Sequence, residues 1–157
     1  MKRILFTLLL LTCGMVRAVA QDGLEIGQLF SGSLDSDRDA VIVYLSGDAL
    51  KGYNLTLFRS LDYHCNEQNV HQIERMVLSD SRKAGSPEIT RRNGHVTDAY
   101  LQFNLSKEGH KGYLFYRVRQ AGSGKPYKLN VVYMEGKATL DQLKKRFGKG
   151  RSKEHEH

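Results

Sequence analysis

The sequence predicts an α+β domain: an antiparallel sheet of about five to six strands, with two main helices over about 66–84 and 139–147 packed on one face. Three observations predict it. Runs of β-branched and aromatic residues recur between short turns rich in glycine, which joins neighbouring strands antiparallel. Two other stretches carry their apolar residues at helical spacing. The order is two strands, a helix, three or four strands and a helix, which suits helices laid on an antiparallel sheet and not a doubly wound parallel one.

In chain order, Gln21 to Phe30 is a short amphipathic piece carrying Leu24, Ile26, Leu29 and Phe30, although Gly23 and Gly27 make a helix there marginal. Ser31 to Asp39 is a polar loop. Ala40 to Ser46 is a strand, the segment to Gly52 a turn, and Tyr53 to Leu61 a second strand in which Phe58 and Arg59 break the alternation. The helix that follows places Val70, Ile73 and Val77 at i, i+3 and i+7, opens on Asn66 as N-cap and stops at Gly85 and Pro87. From Glu88 the strand pattern returns. Asn93-Gly94 suits a tight type I′ hairpin, because both residues tolerate positive φ. Val96 to Leu105 puts Ala99, Leu101, Phe103 and Leu105 on one face. Tyr113 to Gln120 points Leu114, Tyr116 and Val118 inward and Arg117 and Arg119 outward, and Tyr127 to Met134 groups Leu129, Val131 and Tyr133. Thr139 and Gln142 fit a capping box for the last helix, whose stripe is Leu140, Leu143 and Phe147.

The N-terminus reads as a signal peptide over residues 1–20. Lys2 and Arg3 precede an apolar run from Ile4 to Leu11, and Ala18-Val19-Ala20 supplies small residues for cleavage after Ala20. A membrane-crossing helix needs roughly 20 apolar residues, and Arg17 interrupts this run too early. The rival is lipoprotein processing at Cys13. Leu10 fits that pattern, but Leu11 and Thr12 fit poorly and the apolar core would be very short. Cleavage after Ala20 predicts a periplasmic or secreted protein of one α+β domain, residues 21–148, with a basic disordered tail over 149–157.

Charge and cysteine content narrow the function. Residues 21–136 hold 14 basic and 14 acidic side chains, so the excess lies in residues 137–157, with seven basic and three acidic. That basic end predicts at most weak attraction to anionic surfaces; without aromatic platforms or a reading helix, nucleic acid is not an expected partner. Loss of Cys13 with the signal leaves Cys65 alone, which excludes an internal disulfide.

Several segments together resemble a known family: Leu55–Leu61 (LTLFRSL), Tyr113–Tyr116 (YLFY), and Val131–Thr139 (VVYMEGKAT) leading into Gln142–Lys145 (QLKK). It is a family of small exported proteins of Bacteroides-type gut bacteria, catalogued as a domain of unknown function, and the likeness runs from about Leu24 to Lys145. The resemblance implies a cell-envelope or secreted setting in a Gram-negative anaerobe. It brings no catalytic residues to carry over. An arginine anchoring the sheet would account for the Phe58-Arg59 pair.

Candidate chemistry is sparse. Cys65, preceded by His64, sits just before a helix N-terminus that can activate a thiol. In an extended strand the two neighbours point to opposite faces, so an inert thiol is expected. Glu67, His71 and Glu74 share a helical face, but no second histidine completes a zinc-hydrolase spacing, and a solvated polar face with no metal is expected. His155 and His157 in the tail can chelate adventitiously. Gly122 to Lys125 is an ordinary turn, since no helix N-terminus follows to cradle phosphate. No cofactor motif is present. The expectation is a non-enzymatic module that binds a protein or envelope component, with Arg117, Arg119 and Tyr113 on its recognition surface. The alternative is a thiol-dependent or hydrolytic envelope enzyme using Cys65.

Overall fold

The structure, a computed structural model, describes residues 23–148. The expected signal peptide with its cleavage at Ala20, the rival site at Cys13 and the 149–157 tail lie outside the described residues. Six strands form one antiparallel sheet: β1 (Ala40–Ser46), β2 (Leu55–Cys65), β3 (Glu88–Arg92), β4 (His95–Asn104), β5 (Lys111–Gln120) and β6 (Tyr127–Gly136). Their order across the sheet is β1-β2-β6-β5-β4-β3. After the β1–β2 pair, helix α1 (Glu67–Ser81) carries the chain to the far edge, and β3 to β6 return as a meander that closes against β2. The α+β class and strand number match the sequence expectation.

Local chemistry explains the main boundaries. The Asn66 side chain accepts from the Asn69 N–H at 2.9 Å and starts α1. Asn93 and Gly94 both have positive φ, as the type I′ turn between β3 and β4 requires. Thr139 and Gln142 complete their capping box, but the α-helix they open, α2 (Leu140–Leu143), is short and passes into a π turn over Lys144–Gly148.

The expectation that both helices pack on one face is corrected. Helix α1 covers one face through Val70, Ile73 and Val77, against Leu61, Leu101, Leu114, Tyr116, Leu129, Val131 and Tyr133. Leu143 of α2, with Leu140 and Phe147, packs on the other face against Tyr113, Phe115, Val132 and Met134, joined by Leu50 from the 3-10 turn Gly47–Tyr53. The physical reason is in β5 and β6. Gly112 to Tyr116 and Val131 to Gly136 are buried without interruption, so these central strands need cover on both sides. Val132, Met134, Tyr113 and Phe115 point away from α1, and Leu50, Leu55 and Ala138 bury them together with α2.

A register shift between Leu55 and Leu57 sends these two side chains to opposite faces of the sheet. Leu57 and Leu61 join the α1-side core whereas Leu55 joins the opposite cluster, as a bulge that turns a strand over requires. Arg59 then stands on the α1 side of the sheet, directly opposite Tyr133 on β6 and Tyr44 on β1. Its guanidinium lies 5.9 Å from the centre of the Tyr44 ring. Burial raises the pKa of Glu135, while the Tyr133 hydroxyl hydrogen bond at 2.8 Å and the Arg59 charge pull it back. Arg59 is thus a half-buried sheet cation.

The segment before β1 is fastened by Asp80, which is fully buried near the end of α1. Its carboxylate accepts from the Glu25 N–H at 2.8 Å and the Ile26 N–H at 2.9 Å. These are free donors at the start of the 3-10 turn Glu25–Phe30, and a charged acceptor suits them. Ile26, Leu29 and Phe30 thereby close one side of the α1-side core.

Candidate functional site

The sharpest convergence of ligating side chains lies where the first half of α1 faces the β3–β4 turn. His71 and Glu74 sit one helical turn apart, and the hairpin brings His95 beside them. One ligand atom from each lies within 4.8 Å of the others. Glu74 is buried at 6 % exposure. One carboxylate oxygen accepts the Val96 N–H at 2.8 Å. The other stands 3.3 Å from His95 Nδ1 and 3.6 Å from His71 Nδ1. Glu67 Oε1 is 3.6 Å from His71 Nε2. His71 and His95 border a cleft of about 420 Å³, whose walls also include Glu67, Thr90, Arg119 and Tyr127. Two imidazoles and a carboxylate are a donor set for divalent transition metals. Sequence reasoning found Glu67, His71 and Glu74 on one helix face but not His95. The hairpin that delivers His95 was legible, but not its docking against α1.

Cys65 and His64 part as strand alternation requires: Cys65 is buried at 5 % exposure, and His64 is exposed. Burial, with a smaller push from the Asp37 carboxylate, raises the thiol pKa to about 11. A nucleophilic cysteine needs the opposite shift. Both residues border a wide, shallow depression beside the β5–β6 turn. Among the described residues no hydrogen bond joins the thiol to His64. Asp37 is engaged elsewhere, accepting from the Tyr63 hydroxyl at 2.8 Å, and burial followed by that bond raises Tyr63 to about 12.

The three residues expected on a recognition surface have different surroundings. Tyr113 is a core residue at 1 % exposure, its hydroxyl donating to the Ala138 carbonyl. Arg117 and Arg119 are on the outward side, and both converge on Asp98. Arg117 Nε donates to Asp98 at 2.9 Å, and Arg119 donates to its two carboxylate oxygens at 2.9 and 3.0 Å. Arg117 also reaches the Tyr100 hydroxyl and the Gly148 carbonyl, holding the C-terminal turn to the sheet. Burial alone would raise the pKa of Asp98; hydrogen bonds from Arg119 and Arg117 outweigh it and hold the carboxylate below its ordinary range. Arg119 remains about half exposed.

The two edges of the sheet differ. Edge β3 has five residues, carries Arg91 and Arg92, and is interrupted by a bulge between Thr90 and Arg91. Edge β1 has seven residues, AVIVYLS, with neither charge nor proline, and its register with β2 runs unbroken. Four of its large apolar side chains are exposed: Val41 at 60 %, Val43 at 40 %, Tyr44 at 49 % and Leu45 at 42 %. Tyr53, at the end of the following turn, is exposed as well. An edge lacking charge, proline and bulge is open to pairing with another strand.

Comparison with known proteins places the chain in a family of unknown function (DUF6108), to which it belongs: the family model matches residues 13–147. No curated protein and no solved structure matches the chain. Among the described residues no helix is long and apolar enough to cross a membrane.

Proposed function

We propose that this family member is an exported, non-enzymatic binding module that takes an extended segment of a partner protein against the open edge of β1. The observation that carries the reading is the contrast between the two sheet edges. Half of the backbone donors and acceptors of an edge strand face away from the sheet, and a partner strand satisfies them while side-chain contacts give selectivity. The β3 edge has the charge, shortness and bulge that discourage such pairing; the β1 edge has none of them and adds exposed apolar side chains. Absence of an activated nucleophile at Cys65 supports a role by contact and weighs against the thiol enzyme. The N-terminal charge, apolar run and Ala18-Val19-Ala20 support export. N-terminal sequencing of protein from its native envelope, starting at Gln21 or at Met1, decides that point.

The test of the binding edge is a photo-crosslinking residue at Val43, compared with one at Glu108 on the β4–β5 turn, in cells that naturally make the chain. The reading predicts a discrete partner adduct from position 43 alone. It also predicts loss of that adduct when Val41 and Leu45 are both changed to lysine. An adduct of twice the chain mass would make the partner a second copy and refute a heterologous one. Equal labelling from both positions, or an adduct indifferent to the lysines, would refute the edge altogether.

A further inference from the structure

We propose that His71, Glu74 and His95 bind one divalent transition-metal ion of the zinc type, which ties the β3–β4 turn to α1. Ligand atoms about 2.0–2.2 Å from a tetrahedral ion stand roughly 3.3–3.5 Å from one another. The Glu74 oxygen already stands 3.3 Å from His95 Nδ1 and 3.6 Å from His71 Nδ1. One nitrogen of each ring lies within 4.8 Å of the other, and rotation of the two side chains brings them to that separation. His71 and His95 are partly exposed, which leaves them room to do so.

The surroundings fit a metal centre better than a chance meeting of polar groups. The Val96 N–H holds one oxygen of Glu74 at 2.8 Å and so fixes the direction of the other. Glu67 stands 3.6 Å from the outer nitrogen of His71, where a metal-bound histidine needs an acceptor to set its tautomer and ring orientation. The carboxylate is buried and the imidazoles border the cleft, so three protein ligands close one side and a fourth position opens to solvent. That is the coordination of a site able to take a water or an exogenous ligand. Two nitrogens and one oxygen select zinc, cobalt or nickel over magnesium or calcium. On the cleft wall, the Arg119 charge is matched by Asp98.

His155 and His157 form a second possible chelator, so the test uses the full chain with both changed to alanine. After removal of bound metal, Zn2+ is titrated in competition with a chromogenic chelator. The proposal predicts one equivalent bound, and at least about tenfold weaker binding in His71→Gln and in His95→Gln. Co2+ added to the parent chain should give a tetrahedral visible spectrum and broaden the imidazole NMR signals of His71 and His95 before any others, a readout that needs no variant to fold. Absence of stoichiometric binding would overturn the proposal. So would equal affinity in His95→Gln, or broadening centred elsewhere.

Discussion

Asp98 accepts hydrogen bonds from both Arg117 and Arg119 on the outward side of the sheet. Asp98→Asn should cost roughly 1–3 kcal/mol at neutral pH, the scale of charge-assisted hydrogen bonds. The sign of its pH dependence follows from the lowered folded-state pKa. The wild-type advantage is complete above the ordinary aspartate value of about 3.9 and disappears as pH falls through the lower folded value. Urea midpoints of the two proteins should therefore converge in acid and stay apart at neutral pH. Cys65 gives a second residue-scale expectation. With its thiol raised to about 11, native Cys65 should alkylate at pH 7.5 at least about a hundredfold more slowly than in the unfolded chain; equal rates would mean an accessible thiolate. Alternation alone gave the separation of His64 from Cys65. It also put Arg117 and Arg119 outward, but not onto Asp98, 19 and 21 residues away, because a cross-strand pair depends on register. Tyr113 was unreadable for a related reason: its outward parity is right, and Leu50, Leu55, Ala138 and Leu143 on that face make it core.

Among the elements, those built from neighbouring residues were legible. Asn66 caps α1, Asn93-Gly94 turns the β3–β4 hairpin and Thr139 with Gln142 opens α2, all by chemistry contained within four residues. The placement of α2 was not legible from its own stripe. The unbroken apolar runs of β5 and β6 held the missing signal, because a strand covered on one side only would alternate. The β2–β6 junction yields the sharpest test at this scale. A Cβ at Gly136 would lie 2.3 Å from the Asn54 carbonyl oxygen and 2.7 Å from Leu55 Cα, and both are backbone atoms that the β2 bulge holds. Gly136→Ala should destabilise by about 2–4 kcal/mol. Gly85→Ala, where a Cβ meets nothing within 4 Å, should be neutral or slightly stabilising. Chemical denaturation of both variants checks the pair, and equal effects would mean the junction can relax.

Across the whole molecule, the sheet is covered by α1 on one face and partly by α2 on the other, while β1 stands at an edge with Val41, Val43 and Leu45 exposed and Tyr44 packed against Phe30 of the Glu25–Phe30 turn. Composition hinted at this, since AVIVYLS has no charge, but only the strand order reveals that β1 stands at an edge. A buried parallel-type strand would read the same in sequence. The proposal of a module that acts by contact depends on that edge accepting a strand. Backbone hydrogen exchange, measured on the full chain alone and in complex with the partner trapped at Val43, tests it most directly. Amides within residues 40–46 should slow on binding while those of 88–92 keep their rates. Unchanged exchange along β1, with protection gained on some other surface, would contradict the account.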